Sequence, residues 1–435
     1  MSGTLASLRR PAPKRRAKPR PIEYSLLLTA TMCLLAFGVV MVFSASSSTS
    51  LLGEAGDGAY YLKRTLMFGV FGLVALWVLS RHGLAQVRRL TPAILIGAVA
   101  LLLLTKVIGT SANGAQRWIE IGPIQIQASE IAKVALMLYG AHILAERPRM
   151  TRDLRGMAPF LLVAAACCAL IVLEPDLGTA MVTAFSVAAL LIAAGAKLRH
   201  LAMIAGVLLL LVAVAVIIEP YRQERLLSFI NPTADASGSG FQGMQASIAL
   251  GSGGVFGVGL GESVQKAFYL PEAHTDMIAA VIGEELGLLG ISLLVGLYML
   301  VGYAGFRAAQ RARDRYGRLL AAALTAMILV QASINLFAVL GLAPLTGVTL
   351  PFVSYGNSSL IVTLAAVGLL LNVAAGGTAS RSRAASPGRL RVLPGGGEPA
   401  SAPPGFGGAR AAGGDRGRRN GGSRRAGDSR RRRPR

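Results

Sequence analysis

The chain contains 435 residues, of which 53% are hydrophobic and 15% are charged, whereas a soluble domain carries about 25% charged residues. The formal net charge is +23, and nineteen of these charges lie in the two tails, seven before residue 22 and twelve after residue 375. This composition excludes an ordinary soluble domain and predicts several membrane spans. Because basic flanks of spans are typical of the cytoplasmic side, the charge does not indicate a nucleic-acid partner.

Ten apolar segments are long enough to cross a membrane as helices. They lie at residues 24–46, 62–80, 91–108, 129–146, 156–173, 177–195, 198–218, 276–306, 318–342 and 351–375. The connections alternate between basic and mixed or acidic composition, which predicts that both termini are cytoplasmic. The expected fold class is therefore an all-α polytopic membrane protein of about ten transmembrane helices. A large extracytoplasmic loop, residues 219–275, is expected between the seventh and eighth helices.

The remaining chain divides into two tails around one membrane domain. Residues 1–21 form a basic N-terminal tail, and residues 376–435 form a C-terminal tail rich in Arg and Gly. Both tails are predicted to be disordered and cytoplasmic. The C-terminal tail is expected to contact anionic lipid, a cytoplasmic protein or only solvent. Residues 22–375 form the predicted membrane domain.

Polar residues next to and within the spans are candidates for function. Arg117 and Trp118 precede the fourth span, where Arg suits a phosphate partner and Trp is typical of a membrane-interface anchor. Glu130 and Lys133 are three residues apart on one helix face, which predicts an ion pair that fixes packing or borders a substrate cavity. Asp176 follows the fifth span, and it either caps the next helix or faces the same cavity.

The long loop concentrates glycine, charge and aromatic residues. Its glycines match neither a phosphate-binding loop nor a dinucleotide fingerprint, and they are expected to allow tight turns and close backbone approach. Arg222 and Arg225 stand before this glycine-rich stretch, and Lys266 stands after it. His274 and Asp276 follow at the start of the eighth span. Asp276 is either a helix cap or a reactive carboxylate, and His274 is expected to be a loop histidine with a hydrogen-bond partner rather than a metal ligand.

Four motifs in and around this loop occur in a fixed order. They are YRQERLLSFINP at 221–232, GLGESVQK at 259–266, PEAHTDMIAAVIGEELG at 271–287 and LPFVSYGNSS at 350–359. Together they resemble the SEDS family of bacterial cell-wall polymerases, and its division branch more than its elongation branch. The resemblance covers residues 24–376. Asn357 departs from it, because the family has Gly there, and its side chain is expected at a tight place.

This resemblance implies a peptidoglycan glycosyltransferase that joins lipid II units into glycan strands at the outer face of the cytoplasmic membrane during septal synthesis. Asp276 matches the family's proposed catalytic residue, which would take the proton from the acceptor hydroxyl. The residues expected to bind substrate are Arg117, Trp118, Glu130, Lys133, Asp176, Arg222, Lys266 and His274. Among them, the cations would offset charge on the leaving diphosphate. Whether a divalent cation, Mg²⁺ or Mn²⁺, assists there is left open.

The resemblance also implies partners and a location. A class B penicillin-binding protein, the septal transpeptidase, is expected beside the polymerase, together with other divisome proteins and the undecaprenyl-diphosphate-linked glycan. Two alternatives stay open: an elongation-type polymerase, and a lipid II flippase or transporter. Broken helices within the membrane or internal repeats would favour a transporter, and neither stands out in the sequence.

Overall fold

The computed structural model describes residues 21–378, apart from 53–55, 113–114, 123, 232–237, 239 and 268. The helices are α1 Ile22–Leu52, α2 Tyr60–Arg81, α3 Leu84–Ile108, α4 Ala128–Glu146, α5 Leu154–Leu173, α6 Leu177–Ala193, α7 Leu198–Ile218, α8 Pro220–Ile230, α9 Phe241–Gly253, α10 Ile278–Arg311, α11 Arg315–Val339 and α12 Asn357–Ala374. A short 3₁₀ helix, Pro148–Arg152, connects α4 to α5, and three strands are β1 Thr110–Ala112, β2 Ala115–Ile121 and β3 Ile124–Gln127. Residues 1–20 and 379–435, which hold the two tails predicted to be disordered, lie outside the described residues.

The predicted membrane spans all correspond to helices. In the described part of the chain, nine helices are long and apolar enough to cross a membrane, and α6 is an apolar helix of 17 residues. The predicted all-α membrane fold is thus confirmed, but two predicted spans begin before their helices do. The eighth helix begins at Ile278 rather than 276, and the last begins at Asn357 rather than 351. Residues 351–354 form turns instead, and Gly356 is extended, so the chain enters α12 from a loop.

Burial divides the helices into a central and a peripheral set. In α12 and α11, 78% and 72% of the most apolar window is buried, whereas in α7 none of it is buried. Small residues allow the central helices to approach closely. A Cβ added at Gly368 of α12 would lie 2.7 Å from the Leu76 carbonyl oxygen of α2. Helix α7, which leads into the long loop, is therefore free of the tight packing that fixes α11 and α12.

A three-stranded antiparallel sheet precedes α4, which the sequence did not indicate. Strand β2 pairs with β1 and β3, and Trp118 lies opposite Gln127. The sheet ends where α4 begins, because Gln127 is the last residue of β3 and precedes the first helical residue, Ala128. The sheet thus fixes the start of the helix that carries Glu130 and Lys133.

The long loop contains two helices, α8 and α9, and the turns that follow them pair with a break in α10. Gly287 has φ 64° and ψ −158°, which interrupts the helical hydrogen bonds. Two carbonyls before the break, those of Glu284 and Glu285, accept hydrogen bonds from the N–H groups of Val258 and Gly259 at 3.0 and 3.1 Å. After the break, the N–H groups of residues 288 and 289 donate to the carbonyls of residues 254 and 255 at 3.0 and 3.2 Å.

This break differs from the unbroken eighth span expected from the sequence. A broken helix within the membrane is the hallmark that would favour a transporter, whose freed backbone groups bind substrate or ions. Here the freed groups of residues 284, 285, 288 and 289 are paired with the loop backbone. These backbone groups are therefore occupied by structural hydrogen bonds and are not available to bind a substrate or an ion. The expectation that the loop glycines allow close backbone approach is confirmed, since a Cβ at Gly257 would lie 2.1 Å from the Glu285 carbonyl oxygen.

Replacing Gly287 with alanine should destabilise the protein strongly. A Cβ at this position would lie 2.4 Å from Gly257 N and 2.6 Å from Val255 O, and both are backbone atoms that cannot rotate away. The backbone conformation itself costs a non-glycine residue about 1–3 kcal/mol. The matched control is Gly296→Ala in the same helix, where an added Cβ meets nothing within 4 Å. Thermal unfolding in detergent should separate the two variants, and equal melting temperatures would contradict the pairing described here.

Candidate functional site

Asp276 lies in the turn that precedes α10. The residue is 9% exposed, and the Thr275 hydroxyl donates to its Oδ1 at 3.3 Å. Oδ2 faces Gly347, where an added Cβ would lie 4.0 Å from it. The first residue before α10 is Met277, so Asp276 is not the helix cap that the sequence left as one alternative. A buried carboxylate outside the helix hydrogen bonds is available for chemistry.

The surroundings of Asp276 raise the pKa of its carboxyl to about 6 from the ordinary 3.8. Burial is the largest cause and the nearby Glu272 carboxylate adds to it, whereas the Arg225 guanidinium acts in the opposite direction. A general base is most effective when its pKa lies near the working pH. The carboxyl is therefore ionised at neutral pH, yet more basic than an exposed aspartate.

Activity that depends on ionised Asp276 should decline below about pH 6, by about tenfold per pH unit, because protonation removes the base. The pH profile of kcat/KM measures this limb. Stability should change in the opposite sense: the folded chain holds this proton more tightly than the unfolded chain. The contribution of Asp276 to stability is complete below about pH 4 and is lost as pH rises through about 6. A decline of kcat/KM that begins only near pH 4 would contradict the burial of the Asp276 carboxyl.

Two amide side chains of α11 fix the loop formed by residues 345–350, which we call the 345–350 loop. Asn335 Nδ2 donates to the carbonyl oxygens of both Asp276 and Val348 at 2.7 Å. One turn earlier, Gln331 Nε2 donates to the Thr349 carbonyl at 3.0 Å. The 345–350 loop and the turn that carries Asp276 are therefore held against the same helix, which fixes their spacing.

An aromatic cluster holds the other side of the same turn. The His274 ring lies 4.2 Å from the Tyr61 ring and 5.6 Å from the Tyr355 ring, between centroids. The Tyr355 N–H donates to the His274 carbonyl at 2.9 Å. This bond holds the main chain of His274, and the predicted hydrogen-bond partner of its side chain stays a prediction. Burial lowers the pKa of its imidazole, which keeps the ring neutral at pH 7.

Glu130, Lys133 and Asp176 lie close to the 345–350 loop. The predicted ion pair is present, since Lys133 Nζ is 3.0 Å from Glu130 Oε1, and Nζ also donates to Gln331 Oε1 at 2.6 Å. Asp176 caps α6 by accepting from the Thr179 N–H at 3.0 Å, as one of its two predicted roles required. Its other oxygen accepts from Gln127 Nε2 at 3.1 Å. The Lys133 contact joins α4 to α11, which positions Asp276, and the Asp176 contact joins α6 to the end of β3.

The other predicted cations bind elsewhere. The Arg117 guanidinium donates to the Glu174 carbonyl at 3.2 Å and to the Pro175 carbonyl, between α5 and α6. The Arg222 guanidinium donates to the carbonyls of Ala215 and Val172 at 3.0 and 3.4 Å. Lys266 is buried beside Glu285, with 2.7 Å between Nζ and Oε1. Trp118 is half-buried in β2, where its carbonyl accepts from the Thr110 hydroxyl.

Sequence reasoning missed the side chains that build the site around Asp276. Gln331 and Asn335 are polar residues one helical turn apart in an otherwise apolar span, which was the available signal. Arg225 was noticed only as a flanking charge, yet its Nη1 donates to the Leu345 carbonyl at 3.1 Å. Tyr61 and Tyr355 gave no signal, because their contact with His274 joins three distant parts of the chain.

The region that forms this site also matches a known protein family. The family model described as "Cell cycle protein", which covers the FtsW, RodA and SpoVE proteins, matches residues 24–378. The chain belongs to this family. The predicted membership of the SEDS proteins is therefore confirmed, and the match includes all the membrane helices and the long loop.

Individual relatives of this SEDS chain agree with the family model. A probable peptidoglycan glycosyltransferase FtsW of Geobacter metallireducens is 40% identical over 351 residues, which are 80% of this chain and 93% of the relative. The stage V sporulation protein E of Bacillus subtilis is 38% identical, over 80% of this chain and 96% of the relative.

Solved structures of SEDS proteins have the same fold. A chain from a peptidoglycan synthase complex that coordinates polymerization and crosslinking has a TM-score of 0.66 at 31% identity, and covers 80% of this chain and 96% of its own. The Thermus thermophilus rod shape determining protein RodA has a TM-score of 0.60 at 29% identity, over 80% of this chain and 95% of its own.

Proposed function

We propose that this chain polymerises lipid II into glycan strands at the outer face of the bacterial cytoplasmic membrane during septal wall synthesis. Relatives that are about 40% identical over four fifths of the chain are named as FtsW peptidoglycan glycosyltransferases, and on that basis the chain is a peptidoglycan glycosyltransferase of cell division. The observation that carries the chemistry is the buried Asp276 carboxyl, whose turn is held in place by Asn335.

In the proposed mechanism, Asp276 acts as the general base. It takes the proton from the 4-hydroxyl of the acceptor GlcNAc while that oxygen attacks the anomeric carbon of the donor MurNAc. The new C–O bond forms with inversion as the bond to the carrier diphosphate breaks. The diphosphate leaves with the electron pair of that bond, and Asp276 later returns its proton to water. A diphosphate is a good leaving group, so this step needs electrostatic stabilisation more than a protonating acid.

A divalent cation fits this proposal only as a companion of the substrate. Among the described residues, no three Asp, Glu, His or Cys side chains converge to hold a metal ion. Mg²⁺ commonly uses one or two carboxylates together with substrate phosphates. We therefore propose that Mg²⁺ or Mn²⁺ would accompany the substrate diphosphate and would supply charge stabilisation there. Polymerisation measured after chelation and stepwise return of each metal tests this.

The proposed setting is a membrane complex at the division site. The chain is a multi-pass membrane protein of a bacterium, and a structural relative at 31% identity comes from a complex that coordinates polymerization and crosslinking. A class B penicillin-binding protein is therefore the proposed partner, together with lipid II, undecaprenyl-diphosphate-linked glycan and other divisome proteins. Depletion of the chain should produce filaments, because septal synthesis stops. Rounded cells would favour the elongation-type alternative.

The decisive experiment is a polymerisation assay with purified components. The protein is reconstituted with lipid II, with and without the cognate transpeptidase, and glycan products are separated on a gel. A parallel vesicle assay measures how much lipid II becomes accessible on the opposite leaflet. Glycan strands that require the protein would support the proposal. Accessibility without any glycan product would instead support the flippase alternative.

A further inference from the structure

The transferred diphosphate needs a cation near Asp276, and among the described residues none of the four cations predicted for this role donates to the 345–350 loop or to the turn that carries Asp276. Lys133 is buried against Glu130 and Gln331, and Lys266 is buried against Glu285. Arg117 and Arg222 donate to backbone carbonyls at the ends of other helices. A buried ion pair is costly to open because both charges lose their partner. A different basic residue is therefore the better candidate for the cation that binds the diphosphate.

Arg225 lies one helical turn beyond Arg222 on α8 and points to the same side of that helix. It is half-buried, and its Nη1 donates to the Leu345 carbonyl at 3.1 Å. Leu345 begins the 345–350 loop, and Gly347 of that loop faces the Asp276 carboxylate, since a Cβ added there would lie 4.0 Å from Oδ2. Among the basic side chains of the described residues, Arg225 is the one whose positive charge favours the ionised form of Asp276.

The chemistry of the step suits this arrangement. In an inverting transfer, the base and the leaving group stand on opposite sides of the anomeric carbon, so the diphosphate cannot lie on the Asp276 carboxylate itself. A guanidinium on a neighbouring element that is hydrogen-bonded to the loop facing Asp276 is compatible with that requirement. A guanidinium also presents several N–H donors in a plane that matches two phosphate oxygens. The bond from Nη1 to the neutral Leu345 carbonyl orients this group.

We propose that Arg225 binds the diphosphate of the donor lipid and stabilises the charge that develops on it as the glycosidic bond forms. This rests on the proposed polymerase function and assigns its leaving-group subsite. The subsite joins α8 to the 345–350 loop, so the long loop supplies the cation, the turn before α10 supplies the base and α11 positions that turn.

The test compares Arg225→Gln with Glu224→Gln. The two substitutions are adjacent on α8, each changes one charge, and Glu224 is exposed. A hydrogen bond to a charged group is worth about 1.5–3 kcal/mol, so Arg225→Gln should lower kcat/KM for lipid II by about 10- to 100-fold. It should also weaken inhibition of polymerisation by undecaprenyl diphosphate by at least about tenfold. Glu224→Gln should match the wild type in both measurements. Arg225→Lys, which keeps the charge but not the planar fork, should fall between the two.

The outcomes separate this inference from the proposed function. Direct binding of undecaprenyl diphosphate to the detergent-solubilised protein, measured by thermophoresis, does not depend on polymerisation. Binding that is equal in wild type and Arg225→Gln would overturn the inference, even when the wild type polymerises lipid II. Lower activity with unchanged inhibition and binding would also overturn it, because Arg225 would then only hold the loop. A wild type that binds the diphosphate through Arg225 but forms no glycan would instead refute the proposed function.

Discussion

Replacing Asp276 with alanine should lower the rate of lipid II polymerisation by about 100- to 10,000-fold, which is the range of general base catalysis. The carboxyl is the group with a pKa raised to about 6 at the centre of the site, and no other carboxylate replaces it beside Gly347 among the described residues. The variant should remain folded, because Asn335 bonds to the main-chain carbonyl of residue 276 and not to its side chain. Initial rates at saturating lipid II, together with a melting curve, measure both expectations.

Two control variants test whether the loss of activity is specific to the carboxylate at position 276. Asp57→Asn changes an exposed aspartate whose side chain is 42% accessible, and it should polymerise like the wild type. Asp276→Asn keeps the size of the side chain but cannot accept a proton at neutral pH, so it should be as inactive as the alanine variant. An active Asp276→Asn protein would show that the position needs shape rather than a base, and the mechanism would be wrong.

Replacing Lys266 with methionine should destabilise the protein by about 3–5 kcal/mol, the usual effect of removing one partner from a buried ion pair. Lys266 Nζ lies 2.7 Å from Glu285 Oε1, and the two side chains are 6% and 0% accessible. Nζ also donates to the Gly261 carbonyl at 2.7 Å and to Ser44 Oγ at 3.2 Å. Its loss leaves an isolated carboxylate inside the bundle and frees the loop from α1. Chemical or thermal unfolding in detergent measures the change.

The matched control is Lys63→Met, which removes a lysine from an ion pair of equal length. Lys63 and Asp57 are 2.7 Å apart but 70% and 42% accessible, so solvent screens the pair and stability should scarcely change. The double variant Lys266→Met, Glu285→Leu should recover much of the stability, because no charge is left without its partner. A double variant as unstable as Lys266→Met alone would contradict this account and would indicate lost packing instead.

Hydropathy predicted the helices because few backbone conformations are stable inside a membrane. Backbone groups in lipid must bond within their own segment, so an apolar run near twenty residues becomes a helix. The Glu130–Lys133 pair and the Asp176 cap were also predictable, since each depends on residues three positions apart. Local spacing was sufficient for these features.

The site around Asp276 was less predictable because it is built from distant parts of the chain. Asn335 reaches across 59 residues to the Asp276 carbonyl, and Arg225 reaches across 120 residues to Leu345. The break at Gly287 was missed for the same reason, since its stability depends on pairing with residues 254–259. The sheet of β1, β2 and β3 escaped notice because such short strands have little periodicity of their own.

The hydrogen bonds around Gly287 limit where the junction of a chimaera between two family members can be placed. The loop stretch at 254–259 and the helix ends around residue 287 supply hydrogen bonds to each other, so the backbone of neither segment is satisfied without the other. In a hybrid protein whose junction falls between residues 254 and 289, the two segments that hydrogen-bond to each other would come from different proteins. The smallest segment that can be exchanged intact therefore runs from the start of α9 to the end of α10, and this segment includes the carboxylate at position 276.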